Sequence, residues 1–470
     1  MEKIDGKGMV DDNGVFLYPS DSELSSEDLQ AFIEYNQSHS TQYLKNMQMY
    51  KGHYDIESEP AKPLNKPDNR ISVNYAKYLV NVFNGFFAGV PPQISLKDEQ
   101  QNDKLQQFNT LNSVPDKISD IAKLCSIYGR AYMFLYCAED KTIRVAISNP
   151  TNSFIIYDDS VAHMPLYFVH YGKDKDDNIT GQVYSANRIV TFDSNFKFVT
   201  DDQTLFDEVP AVEFMENDER TPLYDNSTIS LMNGINKALS QKANDSDAIA
   251  DAYLFFKGGD LDDKVLETMA DSRVIAIDSD SADAKFLERP NGDGTQENLL
   301  DRLTRSLFQT TMVTNLDDIN NSGNDQSGYS IELKMQGMRS LASIKERKFI
   351  VSLRSMYRIA FKVINLKKNI LKRAKDVLTG TVDDPVTQLV FNFTRNLPKN
   401  IELEANVAKN LEGIVSKQTQ LKALSSLVDN PQEEIERIAK EEAEKVNNAV
   451  KANPANYDFE GVADEEKQKQ

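Results

Sequence analysis

Between Ser330 and Asn369 the chain contains no proline and one glycine, Gly337. Apolar residues at Ile331, Met335, Met338, Ala342, Phe349, Leu353, Met356, Ala360 and Val363 recur there at steps of three and four, which marks one buried face of a helix. The spacing predicts a helix of roughly 40 residues, about 60 Å long at the standard rise per residue. From Ile331 to Lys375 it carries 13 Lys or Arg against 2 Glu, a local charge of +11 in a chain whose total is −20. The stretch before it, Asn315 to Ser330, is dominated by Asn, Asp, Ser and Gly, residues that favour turns over regular structure. A polar loop therefore feeds a basic rod, and the remaining segments read as arranged around that pair.

A chain of 470 residues is long enough for two to four domains with substantial cores. Its net charge of −20 argues against a surface that grips nucleic acid all over, because such binding depends on Lys and Arg neutralising phosphates. It leaves room for a protein that passes nucleic acid without holding it. Cys125 and Cys137 are the only cysteines; they form neither a disulfide scaffold nor a zinc pattern, and both read as small buried residues in a reducing compartment. No secretion signal is apparent, and the most apolar stretch, Tyr78 to Val90, is interrupted by Asn81 and Asn84 and too short to span a bilayer. The expectation is a soluble protein, intracellular at synthesis, with no membrane segment.

Taken in order, residues 1–25 are acidic and turn-rich and read as a loosely held arm. A helix starts near Ser25 or Ser26 and runs to about Met49; prolines at 60, 63 and 67 mark a connector. Tyr75, Tyr78, Leu79, Val82, Phe83 and Phe86 outline a second helix, stopped by Gly89 and Pro91-Pro92. A short strand at 93–96 and a helix from Pro115 to Tyr128 lead into β-branched and aromatic runs from Ala131 to about Phe214. Helices followed by meandering strands give an α+β domain. After Asn217–Pro222, helices over 227–256 and 296–313 bracket a compact 257–295 segment, with a helix near 262–270 and strands at 274–277 and about 286–287. Residues 201–300 hold 23 acids and 8 bases, a local charge of −15. Beyond the rod come the linker 376–386, a strand at 388–394, helices over 401–428 and 431–449, and a charged tail, 450–470, that reads as disordered.

Catalytic chemistry is hard to place. The histidines at 39, 53, 163 and 170 are scattered, and no phosphate-binding or dinucleotide-binding glycine motif occurs. The clusters Asp174/Asp176/Asp177 and Asp278/Asp280/Asp283 lack the Gly and Glu of a calcium loop and read as solvated turns. No catalytic residue, metal or cofactor is assigned.

Several stretches, in their order and spacing, are similar to a known family: Arg70–Val80 followed by Gly89–Pro92, Ser126–Tyr132, Ile156–Asp159, Val209–Phe214, Asn236–Asp247, Ser327–Gly328, Ile344–Phe349 and Phe391–Pro398. The chain resembles the portal proteins of tailed bacteriophages, of the type common in siphophages of Gram-positive hosts. The resemblance implies a portal fold: an α/β wing over 26–220 after the arm 1–25, stem helices over 221–256 and 296–313, a clip over 257–295, a tunnel loop over 314–329, a long helix and wing return over 330–399, and a helical crown over 400–449. It implies a closed ring of about twelve copies at one vertex of the virion capsid, with viral double-stranded DNA in its channel. Implied partners are the terminase large subunit, head-completion or adaptor proteins, scaffold and the major capsid protein.

The same resemblance places Asn315, Asp317, Asp318, Asn320, Asn321, Ser322, Asn324 and Gln326 at the channel, and Asp260, Asp262, Asp263, Asp278 and Asp280 in a partner-docking clip. Lys334, Arg339, Lys345, Arg347 and Lys348 face either DNA or a neighbouring subunit, and the −15 hairpin favours the neighbour as their counterion. Two other readings remain open on the residues: a capsid or scaffold protein that never meets DNA, and a metal-dependent nuclease built on Asp174 or Asp278.

Overall fold

The computed structural model describes residues 1–63, 66–250, 254–257, 283–286, 293–320, 332–366, 385–396, 401–424, 427–428 and 431–452. Two compact units divide the chain, Met1–Asn396 and Leu397–Gln470. The first begins with β1 (Glu2–Lys3), β2 (Met9–Val10), β3 (Phe16–Tyr18), α1 (Ser26–Lys51), α2 (Tyr75–Ala88), β4 (Gln93–Ser95), α3 (Glu99–Asn112) and α4 (Val114–Tyr128). Strands β5 (Arg130–Cys137), β6 (Ile143–Ser148), β7 (Ser153–Asp158), β8 (Pro165–Lys173), β9 (Ile179–Ser185), β10 (Arg188–Phe192), β11 (Phe198–Gln203) and β12 (Ala211–Met215) follow.

Among the described residues eight strands form one sheet in the order β1-β2-β3-β7-β8-β9-β10-β11, and β12-β5-β6 form another. Side chains alternate between the two faces of a strand, and the large sheet uses both. Phe154, Ile156, Val169, Tyr171 and Val183 pack on Leu29, Phe32 and Ile33 of α1. Their neighbours Ile155, Phe168 and Tyr184 face the other way, onto Tyr132, Val209 and Ala211. One sheet thus carries two cores, which is why its strands read as nearly continuous apolar runs.

The N-terminal residues belong to this sheet and are not a loose arm. β3 pairs in parallel with β7, and Phe16, Leu17 and Tyr18 are buried. Strands of two or three residues, held by a partner some 140 positions away (Phe16 against Ile156), leave no periodicity to read. Three further differences have local causes. Helix α3 was hidden by its polar composition, with Asp98 Oδ1 capping it by accepting from Gln101 N at 2.8 Å. The exposed β11, all of whose residues face solvent, pairs with β10 through its backbone and an Arg188–Asp201 ion pair. Cys125 is buried but Cys137, at the end of β5, is exposed.

The sharpest junction is at Gly129 between α4 and β5. Its φ is +87°, and a Cβ there would lie 1.9 Å from the Arg220 carbonyl oxygen, so glycine alone fits.

Helices α5 (Asn226–Ala250) and α6 (Asp293–Thr311) pack side by side, joined by a Lys242–Glu297 ion pair and by Gln296 Nε2 donating to Asp245 at 2.8 Å. The first of them stops at Ala250, short of the expected 256; residues 254–257 are instead β13 (Leu254–Lys257), antiparallel to β14 (Asp283–Phe286). The expected helix near 262–270 and strand at 274–277 lie outside the described residues.

A short helix, α7 (Leu316–Asn320), precedes the long helix α8 (Gln336–Leu366). Residues 332–334 are helical, but Met335 breaks the run before α8. Phe349 of α8 meets Phe87 and Phe214 edge-on at 5.3 and 5.1 Å, fixing the rod across α2 and β12. The return strand β15 (Val390–Asn392) pairs with β4.

In the second unit the helices are α9 (Ile401–Asn410), α10 (Lys417–Lys422) and α11 (Pro431–Ala452). Turns at 411–415 replace the continuous helix expected over 401–428.

Candidate functional site

Residues 69–88 touch every element that leads into or out of the polar loop. The first part is extended and lies along α5. Backbone N–H groups of Asn69, Ile71 and Val73 donate to Asn244 Oδ1 (2.6 Å), Ser240 Oγ (2.9 Å) and Asn236 Oδ1 (2.8 Å). Two residues of extended chain advance about 6.6 Å and four residues of helix about 6.0 Å, so alternate amides meet every fourth helical side chain. Asn236 and Ser240 are buried; their polar groups take the place of a strand partner for amides that would otherwise be orphaned. Lys237–Glu59 and Asn233–Asp55 contacts flank this seam.

The second part is α2. Its N-cap Asn74 accepts from Lys77 N at 3.0 Å and from Tyr54 Oη at 3.1 Å. Leu79, Val80, Phe83 and Phe87 are buried, whereas Tyr75 and Tyr78 point to α6, both edge-on to Phe308 at 6.1 and 5.8 Å. Tyr78 Oη also accepts a hydrogen bond from Leu316 N at 3.0 Å. Burial raises the Tyr78 pKa, against the lowering effect of that amide.

Both shoulders of the polar loop meet at this point. α6 ends in Met312, whose φ is +55°, and the chain turns under α8. A Cβ on Gly337 would come within 2.9 Å of the Met312 carbonyl oxygen, so the one glycine of the rod permits a close crossing. Thr314 Oγ1 donates to the Lys334 carbonyl at 3.1 Å, and Lys334 Nζ donates to the Asp318 carbonyl at 2.7 Å.

Lys345 pins the long helix. It is fully buried, with Nζ 2.6 Å from Glu216 Oε2, 2.8 Å from the Ala122 carbonyl and 2.9 Å from Ser126 Oγ. All three ammonium protons have acceptors, and the rings of Phe83, Phe87 and Phe349 lie 5.1 to 5.6 Å from the charge. Burial raises the Glu216 pKa, and Lys345 only partly offsets it. Three residues earlier, in β12, Glu213 is also buried, paired with Arg220 at 3.0 Å and Arg130 at 3.5 Å and accepting from Tyr157 Oη at 3.0 Å. Burial would raise its pKa, but the two guanidinium groups hold it below the usual carboxylate value.

Of the expected channel residues, Asn315 is half-buried and accepts from Asp317 N, Asp317 and Asp318 are exposed, and Asn320 ends α7. Asn321, Ser322, Asn324 and Gln326 lie outside the described residues, as do Asp260, Asp262, Asp263, Asp278 and Asp280. The basic residues part ways. Lys345 is not a contact for DNA or a neighbour, because it has no exposed surface and its counterion is in its own chain. Lys348 pairs with Asp218, Arg358 and Lys362 with Glu208, and Arg339 with Glu332 at 3.7 Å. Four of the described bases of the rod thus meet acids at 208, 216 and 218 of the same subunit, ahead of α5. Arg347 is exposed.

Asp174 accepts from the amides of Asp176 and Asn178 at 2.8 and 3.0 Å, closing its own turn. Among the described residues no three His, Cys, Asp or Glu side chains are grouped to hold a metal ion, and no helix is long and apolar enough to cross a membrane.

No curated protein matches the chain in sequence. Among solved structures it is similar to a chain from the neck of an empty GTA particle computed with C6 symmetry, at 13% identity and a TM-score of 0.39, covering 74% of this chain and 89% of that one; likeness at that level supports no reading of the site. Residues 30–448 match the family described as phage portal protein, SPP1 Gp6-like. That match runs from α1 into α11 and takes in the whole bracket around the loop, so the chain belongs to the SPP1 Gp6-like family of phage portal proteins, which form the ring-shaped DNA channel at the capsid vertex.

Proposed function

We propose that the polar loop 314–329 borders the narrow part of the DNA channel and that this portal works as a passive conduit whose wall does not hold its cargo. One observation carries the reading: among the described bases of the long helix, four are taken up inside the subunit, Lys345 by Glu216, Lys348 by Asp218, and Arg358 and Lys362 by Glu208. At the described loop shoulders the exposed charged side chains are acids, Asp317, Asp318 and Glu332. Every Lys–phosphate contact adds affinity that would have to be broken at each step of translocation, so neutralised bases and acidic shoulders favour free passage.

In this reading residues 26–220 form the wing, 221–256 and 296–313 the stem, 257–295 the clip and 400–449 the crown. The clip acids Asp260, Asp262, Asp263, Asp278 and Asp280 meet the terminase large subunit during filling and head-completion or adaptor proteins afterwards, while scaffold and the major capsid protein surround the wing. Arg347, exposed on α8, is left to meet a neighbouring copy. The phage is of the siphophage type that infects Gram-positive hosts, and the portal is assembled in the host cytoplasm.

Deleting Ile319–Gln326 tests the loop assignment. Rings of the deletion variant are expected to assemble as wild type does, with DNA packaging or retention impaired; packaging at the wild-type level would remove the loop from the channel.

A further inference from the structure

Two shoulders of the polar loop are tied to each other and to α2, and nothing in the portal reading requires that tie. The Met312 carbonyl passes against Gly337, Thr314 Oγ1 reaches the Lys334 carbonyl, and Lys334 Nζ reaches the Asp318 carbonyl. The chain at 312–318 and the chain at 334–337 are therefore held against each other. The Tyr78 hydroxyl ties them to α2: it accepts from Leu316 N at 3.0 Å while its ring stays against Phe308.

We propose that Tyr78 is a positioning residue for the channel loop: its hydroxyl fixes the first turn of the loop to α2, and the glycine at 337 lets the second shoulder close over the first. The proposal rests on the assignment of 314–329 to the channel. α2 is an apt anchor because it is itself fixed from three sides, by Asn74 against Tyr54, by its buried Phe83 and Phe87 beside Lys345, and by Tyr75 and Tyr78 against α6. A loop joined to it inherits that fixed position. Without the join, the α7 turn swings from Met312, whose αL conformation is held by the close passage against Gly337.

Tyr78→Phe isolates the hydroxyl, because the ring and its edge contact to Phe308 are kept and the released Leu316 amide is next to solvent. Gly337→Ala acts from the other shoulder, since a methyl 2.9 Å from the Met312 oxygen forces that carbonyl to shift. Assembled wild-type and variant rings are compared by hydrogen exchange across 312–320, by thermal unfolding, and by DNA packaging and retention when they replace wild type in virion assembly. The loss of one hydrogen bond predicts exchange at Leu316 faster by about fivefold in Tyr78→Phe, an unchanged unfolding midpoint, and packaging or retention reduced in both variants.

Unchanged exchange in Tyr78→Phe overturns the tie itself, whatever the loop does. Faster exchange with normal packaging, in an assay where deleting Ile319–Gln326 abolishes packaging, overturns the positioning role. If the deletion too leaves packaging untouched, the channel assignment falls and takes the positioning role with it, although the exchange result still reports the tie. A fall in unfolding midpoint that accounts for the packaging loss would make Tyr78 a merely structural residue and also overturn the proposal.

Discussion

Lys345 shows how a charged side chain can be mistaken for surface. The apolar series along the rod runs 335, 338, 342, then 349, 353 and 356, and the skipped position is 345. A helix stripe with one such gap still buries what fills it, and here that is an ammonium group held by Glu216, the Ala122 carbonyl and Ser126. Removing one partner of a buried ion pair strands the other charge, at a cost of about 3–5 kcal/mol, while replacing both by apolar groups is close to neutral. Lys345→Met should therefore lower the unfolding midpoint sharply, and Lys345→Met with Glu216→Leu should recover most of the loss, compared at equal protein concentration. A single variant as stable as wild type would contradict the pairing. The gap at 345 was legible in the sequence; its counterion was not, because Glu216 is 129 positions away (345 − 216).

Glu213 gives a prediction with pH. Its folded pKa lies below the ordinary 4.5 because Arg220 and Arg130 outweigh burial. Its stabilisation is therefore complete above about pH 4.5 and lost as the pH falls through the folded value. Glu216 has a raised pKa, so its contribution runs the other way, present below 4.5 and lost as the pH rises through the folded value. Glu213→Gln should be less stable than wild type near pH 7, and the gap should narrow as the pH falls to about 3. A gap that stays constant, measured by chemical denaturation across that range, would show that Glu213 is not the acid-sensitive partner.

At the scale of elements, the seam between residues 69–73 and α5 ties α5 to the chain that leads into α2. Each of its three amide contacts is worth about 1 kcal/mol, and they share one helix face. Asn236→Ala and Ser240→Ala should each cost about that much and their double variant more than either, with faster hydrogen exchange at Ile71 and Val73. Unaltered exchange at those amides would remove the seam as a structural tie. The sequence held both halves of it: Arg70–Val80 and Asn236–Asp247 stood out separately, and the structure puts them in contact. Strong periods were readable, α1 and α2 to within two residues and α5 and α8 to within about six. β1 to β3 were not, because two-residue strands are defined by partners far along the chain and not by pattern, and α3 was not, because its buried residues, Leu105, Phe108, Asn109 and Asn112, are half polar.

At the scale of the whole molecule, the balance of charge follows the same logic as the single residues. The rod's +11 and the acidic surplus of residues 201–300 were expected to meet across two copies; among the described residues, four of the rod's bases instead meet Glu208, Glu216 and Asp218 inside one subunit. A ring of such subunits keeps its negative total and offers DNA few bases to stop at, which is a physical account of how a portal passes a polymer of phosphates. The α+β class and the order of the segments followed from periodicity, whereas the neutralisation partners required the fold.

The most direct test is electron microscopy of the purified full-length protein. Closed rings with an open central channel wide enough for duplex DNA are the expected result; isolated monomers at all concentrations, or rings with no opening, would contradict the account.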